Sequence, residues 1–149
     1  MTGAGAGLRR ILVAVDGSDN ALRAVRHVLA EKDVYRDPIH LVLVNVQASV
    51  VSGAVKMFLD PDQIDGFYRQ EGETALATAR DLVAAAGVST EHHILVGDPA
   101  ENLDRIARDT GCRQIVMGTR GLGAIAGMFL GSVAAKVVHR TQVPVLLVP

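Results

Sequence analysis

Ile115-Val116-Met117-Gly118-Thr119-Arg120-Gly121, followed after nine residues by Gly131-Ser132 and then by Val133-Ala134-Ala135-Lys136-Val137-Val138, decides how this chain is read. The apolar run is too short for a helix and ends in glycine, so it reads as a buried strand that leaves its sheet abruptly. The segment after Gly131 has the spacing of a helix. A strand, a glycine-bearing loop and a helix N-terminus form one way of holding phosphate. The first-turn N–H groups lack acceptors within the helix, and the helix dipole adds positive potential there. Gly118 is expected to let the backbone turn out of the strand, Gly121 to keep the loop clear of a ligand, and Gly131 to leave the helix amides uncovered. The Ser132 hydroxyl and the first-turn amides would receive phosphate oxygens, and Arg120 could reach a phosphate. The apolar stretch Leu122 to Leu130 is expected to fold back on the domain or on a partner.

Working outward, the same strand-turn-helix unit recurs. Ile11 to Val15 reads as a first strand ending at Asp16-Gly17-Ser18, with Ser18 capping a helix whose stripe is Ala21, Leu22, Val25, Val28 and Leu29. Pro38 separates it from a second, nearly uninterrupted β-branched run, Ile39 to Val46. Residues Gln47 to Gln63 fit neither period, and a connection of that length often serves as a lid, a partner-binding loop or a mobile segment. A helix is predicted from Ile64 to Ala86, with Gly72 as its weak point and Gly87 as its stop. Thr90 to Val96 reads as a third, more exposed strand, suited to an edge. Asp98-Pro99-Ala100-Glu101 is a helix start, with Asp98 as N-cap and Pro99 at N1. Gln114 to Met117, Ser132 to His139 and Val143 to Val148 complete the series. The pattern predicts an α/β fold, an open doubly wound five-stranded parallel sheet with helices on both faces, in one domain spanning 1–149. Periodicity does not set the strand order.

Composition supports this and removes other classes. The chain has 149 residues, 49% hydrophobic but only 3% aromatic with no Trp, so its core must be Val, Leu, Ile and Ala. A domain of this size buries roughly 70% of its extended surface, enough for a core without staples. A net charge of −1 argues against nucleic-acid and anionic-membrane partners. The single cysteine, Cys112, excludes an internal disulfide and reads as a structural thiol, with redox sensing as the alternative. Met1 to Gly7 and the short run after it do not make a signal peptide, and no stretch approaches a membrane span; a cytoplasmic protein is expected.

Two common nucleotide motifs are missing. Gly131-Ser132 lacks the Gly-Lys arrangement of a P-loop, and the first strand ends in Asp16-Gly17-Ser18-Asp19 rather than GxGxxG. The five histidines, His27, His40, His92, His93 and His139, fall on separate elements or on an edge strand, and structural or surface roles are assigned to each.

The spacing Gly118-x2-Gly121-x9-Gly131-Ser132 resembles, without a gap, the Gly-x2-Gly-x9-Gly-(Ser/Thr) motif of the ATP-binding branch of the universal stress protein family. Ile11 to Ser18, Val44-Asn45-Val46, Ile115 to Gly121 and Val143 to Val148 are similar to that family as well, so the resemblance covers the whole chain. It implies strand order 3-2-1-4-5, an adenine nucleotide as ligand (ATP, with Mg²⁺ as a candidate companion) and a two-fold homodimer through the C-terminal strand Val143–Val148. It also implies roles by position. Asp16 would contact the ribose or adenine, Val15, Val46 and Met117 would line the base pocket, and Gly118, Gly121, Gly131, Ser132 and Val133 would offer backbone groups to phosphates. Plain core packing remains open for Val15, Val46 and Met117, and a turn-forming or capping role for Asp16. Ala134 departs from the polar residue many relatives carry near the phosphates.

Function stays open among a nucleotide-dependent regulator in a stress response, a slow ATPase, and a nucleotide-free dimeric adaptor. Efficient hydrolysis needs a general base or a metal cluster, and no histidine constellation supplies one. Regulation is therefore the favoured expectation.

Overall fold

The computed structural model describes residues 7–49, 52–122, 126–127 and 129–149. Met1 to Ala6 lie outside these, as do Val50, Val51, Gly123 to Ile125 and Met128. Strands β1 (Arg9–Ala14), β2 (Ile39–Gln47), β3 (Ser89–Val96), β4 (Gln114–Gly118) and β5 (Val145–Val148) form one sheet in the order β3-β2-β1-β4-β5. Every pairing is parallel, with Leu12 beside both Val42 and Ile115, and Val13 beside both Leu43 and Val116. Ser89–Val96 is an edge strand, as its polar composition suggested.

Helices cover both faces. Ile11, Val13, Leu41, Leu43 and Val116 pack with α1 (Asp19–Ala30) and α3 (Pro61–Ala85). Leu12, Val42, Val44, Ile115 and Met117 pack with α4 (Pro99–Asp109) and α5 (Ser132–Arg140). Alternate residues of the central strands therefore serve different helix layers, which is why those strands read as continuous apolar runs. The connection reverses between β1 and β4, so their carboxyl ends lie side by side at the point where open α/β sheets leave a crevice.

The caps follow the sequence. Ser18 accepts from the Ala21 amide at 3.2 Å, and Asp98 from the Glu101 amide at 2.8 Å. Gly87 ends α3 at φ +66, a conformation that disfavours any side chain.

Three local expectations change. The segment 47–63 contains a short helix α2 (Gly53–Lys56) capped by Ser52, and α3 begins at Pro61 rather than Ile64. Asp60 and Gln63 form a capping box there, which the apolar period could not register because its residues are polar and exposed. Gly72 is not a weak point of α3. It is buried, and a Cβ there would collide with the Ile94 side chain, so glycine lets α3 lie close on β3. The last strand starts at Val145, two residues late. Pro144 has no amide to donate, and its carbonyl instead accepts from Ile115.

Within the Leu122–Leu130 stretch, Leu122 is 72% exposed and Phe129 96% exposed, while Leu130 is partly buried against the core layer of Leu12 and Ala134, so its last residue folds back on the domain. Residues 123–125 and 128 of that stretch lie outside the described residues.

Away from the crevice, Glu91 of β3 gathers partners from its neighbours in the sheet. Its carboxylate accepts from Arg10 Nη2 at 2.7 Å and meets His40 Nε2 and His93 Nε2, each at 3.1 Å. His93 first, then Arg10 and His40, hold the Glu91 carboxyl down at about 2 against an opposing push from burial. His92 lies 3.5 Å from Glu73 on α3. Cys112 is buried with the Thr110 hydroxyl 3.2 Å away, and burial pushes its thiol up, away from the reactive thiolate. No helix among the described residues is long and apolar enough to cross a membrane.

Candidate functional site

A cavity of about 320 Å³ opens where β1 and β4 end. Its wall takes in all the residues expected from the sequence: Val15, Asp16, Val46, Met117, Gly118, Arg120, Gly121, Gly131, Ser132 and Val133. The ends of β1, β2 and β4, the starts of α1, α4 and α5, and the loop after β4 meet there. One side is apolar, built from Val15, Val44, Val46, Leu103 and Met117. The polar part of the wall is Asp16, Thr119, Arg120 and Ser132. A mostly apolar cleft with a few convergent polar groups suits a small ligand with a flat apolar part and a charged part.

The structure adds Ala14, Ala21, Val44, Pro99, Leu103, Thr119, Leu122 and Ala134 to the wall. Val44 was within reach of the sequence, because it lies two residues before Val46 on the same face of β2. Pro99 and Leu103 were not. Their local pattern is that of an ordinary capped amphipathic helix, and only the packing of α4 beside β2 brings them to the cavity.

Asp16 sits at the hinge of the site. Its Oδ1 accepts from the Ser18 amide at 2.9 Å, and its Oδ2 accepts from the Leu122 amide at 3.0 Å. The first bond is the turn-forming role considered for it, helped by Gly17 at φ +86. The second ties the end of β1 to the glycine loop. Turn former and cavity wall are thus one side chain.

The glycines act differently from the expectation. Gly118, Gly121 and Gly131 do not have positive φ. Space, rather than backbone freedom, requires them. A Cβ on Gly121 would collide with Asp16 Oδ2, and one on Gly118 would lie 3.0 Å from Arg120 O and from Asn20 Cβ. A Cβ on Gly131 would lie 3.3 Å from Thr119 O, against the neighbouring backbone rather than over the helix amides. Gly131 is also bonded there, its amide donating to the Thr119 carbonyl at 2.6 Å.

Helix α5 has Gly131 at its N-cap and so no side-chain cap, whereas α1, α3 and α4 are capped by Ser18, Asp60 and Asp98. Its first backbone bond is Ala135 N–H to Gly131 C=O at 3.0 Å, so the amides of Ser132, Val133 and Ala134 have no acceptor within the helix. All three residues line the cavity. Ser132 adds a hydroxyl, and Arg120 stands exposed at the rim. Ala134 is buried and adds only its backbone.

Among the described residues of the wall, Asp16 is the sole carboxylate and there is no histidine. Among the described residues, no group of three or more His, Cys, Asp or Glu side chains could hold a metal ion. The wall offers an apolar slot, an acidic acceptor and a cluster of N–H and O–H donors.

The family description "Universal stress protein family" matches residues 7–149. The chain is 34% identical over 146 residues to Universal stress protein YxiE of Bacillus subtilis, covering 93% of this chain and 97% of that one. Among solved structures it is similar to protein MJ0577 of Methanocaldococcus jannaschii, with 27% identity, a TM-score of 0.81 and 94% of each chain covered. It is also similar to a universal stress protein solved in complex with cAMP, with 29% identity, a TM-score of 0.63, and 95% of this chain and 96% of that one covered.

Proposed function

The chain belongs to the universal stress protein family, and from that premise we propose that it is a cytoplasmic adenine-nucleotide-binding regulator, with ATP as ligand, acting in a stress response as one domain. The observation that carries this reading is the convergence of Asp16 and the uncapped start of α5 on one cavity whose wall also holds the apolar Val15, Val44, Val46, Leu103 and Met117. Adenine fits between Val15, Val46 and Met117, the ribose hydroxyls donate to Asp16, and the phosphates take the amides of Ser132, Val133 and Ala134 with the Ser132 hydroxyl and Arg120. A relative solved with cAMP supports an adenine ligand.

Mg²⁺ finds few protein ligands in this arrangement. Asp16 already accepts from two backbone amides, and the Ser132 hydroxyl is the other candidate. Mg²⁺ would therefore enter with the phosphates rather than occupy a site prepared by the chain. Hydrolysis is the weaker reading, since Asp16 is the only carboxylate among the described residues of the wall and it is held by those same amides.

The edge strand β5 bears the apolar run Val145-Leu146-Leu147-Val148, every residue of it half-buried in one chain. An apolar edge of this kind invites pairing. In this proposal it pairs with its own copy through the segment Val143–Val148, making a two-fold dimer whose use as a signal depends on the bound nucleotide.

The test is direct. With no Trp and two Tyr, the protein absorbs weakly at 280 nm, so co-purified nucleotide stands out at 260 nm. Denaturation and identification of the released base and phosphates would name the ligand. Stripped protein that shows no calorimetric binding of ATP, AMP or cAMP would overturn the reading and leave the adaptor hypothesis.

A further inference from the structure

Asn45 is a buried polar side chain, 3% exposed, that the ligand reading does not use. It follows Val44 on β2 and so turns to the sheet face opposite the cavity, where Leu41 and Leu43 pack against α1 and α3. Its Nδ2 donates to the Val15 carbonyl at 2.9 Å. Its Oδ1 accepts from Gln47 Nε2 at 3.1 Å, and the same Gln47 nitrogen donates to the Tyr68 carbonyl of α3 at 2.8 Å.

The position of the first bond matters. Regular pairing of β1 ends at Val13 beside β4 and at Ala14 beside β2. Val15 is still held by its amide, which donates to the Val44 carbonyl at 2.9 Å. The next residue is Asp16, and the chain then swings through Gly17 at φ +86. The Val15 carbonyl is thus the last main-chain group before the turn that carries the carboxylate, and Asn45 grips it. A residue needed only to fill this layer could be apolar, as Leu41 and Leu43 are.

We propose that Asn45 is a positioning residue for the cavity: by anchoring the Val15 carbonyl from the far face of the sheet, it sets the Asp16 carboxylate between the Ser18 and Leu122 amides. Hydrogen bonds weaken steeply with misplacement. Once the Val15 carbonyl is released, both Asp16 bonds loosen, and with them the link between β1 and the glycine loop. Gln47 supplies an internal control. It belongs to the same polar chain but makes no hydrogen bond to Val15, so its loss affects packing against α3 without freeing the turn.

The experiment compares ligand-free wild type, Asn45→Leu and Gln47→Leu by amide NMR with hydrogen exchange. Thermal midpoints and AMP affinity by calorimetry are measured alongside. Asn45→Leu should shift the Ser18 and Leu122 amide resonances, speed their exchange about tenfold and weaken AMP about tenfold, which is 1.4 kcal/mol. Gln47→Leu should lower the thermal midpoint while leaving those two amides and AMP affinity within about twofold, less than 0.5 kcal/mol. An Asn45→Leu protein that only melts earlier, with both amides as in wild type, overturns the proposal. So does a Gln47→Leu protein that disturbs them equally. If the leucine variant does not fold, Asn45→Ser, which keeps a donor on a shorter arm, is read the same way. Only the affinity measurement rests on the nucleotide reading. Wild type that binds no AMP counts against AMP as a ligand, while the amide measurements still decide the role of Asn45.

Discussion

Gly121 lacks a side chain because Asp16 occupies the space a Cβ would take. This pair is the tightest constraint in the site and can be tested by substitution. Gly121→Ala should cost about 1–3 kcal/mol by overpacking and should also weaken nucleotide binding, because the displaced carboxylate loses its bond to Leu122. Asp16→Ala should weaken binding on its own. In the double variant the steric part disappears, so the two stability losses should not add; a double-mutant cycle by urea unfolding measures the coupling. Full additivity would refute the contact. The spacing of the glycines was legible in the sequence, but their reason was not. A glycine kept for backbone freedom and one kept for a neighbour's carboxylate look identical in a chain, and only proximity across 105 positions separates Asp16 from Gly121 as a pair.

Among the elements, α5 and α3 matter most. Helix α5 leaves its first-turn amides facing the cavity with no cap, so its contribution should be specific to phosphate. Ser132→Ala removes one donor and should weaken AMP by about 0.5–3 kcal/mol, the range for a hydrogen bond to neutral or charged groups, while adenosine affinity stays unchanged. Equal losses for both ligands, measured by calorimetry, would place Ser132 elsewhere than at the phosphate. In α3, Gly72 lets the helix rest against Ile94 of β3. Gly72→Ala should destabilise the fold despite alanine's better helix propensity, and adding Ile94→Ala should restore part of the loss. A stabilised Gly72→Ala protein in thermal unfolding would contradict that packing. Propensity alone made Gly72 a defect; the sheet beneath it makes it a requirement.

For the molecule as a whole, the parallel sheet is tied at its outer side by charge. Glu91 of β3 meets Arg10 of β1 and His40 of β2, with His93 beside it on its own strand. Because its folded carboxyl lies at about 2, below its ordinary value of 4.5, the folded state binds this proton less tightly than the unfolded chain. The associated stability is present above about 4.5 and is lost as pH falls toward about 2. Glu91→Gln should therefore lower stability at neutral pH and flatten the acid limb of the stability profile across that window. Urea unfolding as a function of pH checks it, and an unchanged acid limb would remove Glu91 from the account. The group is partly exposed, so solvent screens the effect. At the opposite edge, Leu147→Lys should leave the monomer folded and break the proposed β5 dimer. Sedimentation would show this as a shift to one-chain mass, whereas an unaltered dimer would point to another interface.

Sequence by itself determined the alternation of strands and helices, the caps at Ser18 and Asp98, and the loop candidates Gly118, Arg120, Gly121, Gly131 and Ser132, whereas Val15, Val46, Met117 and Val133 were named only through resemblance. Each of these depends on residues a few positions apart, where periodicity, capping and motif spacing act directly. Strand order could be inferred only through resemblance, because periodicity says which faces are apolar and not which strands are neighbours. The tertiary structure decided what lies between distant segments: Pro99 and Leu103 on the cavity wall, Ile94 under Gly72, the Asp16 carboxylate against Gly121, and Asn45 behind Val15. Those contacts arise when a sheet brings the ends of separate strands within a few ångströms, and no local pattern records which side chains will then meet.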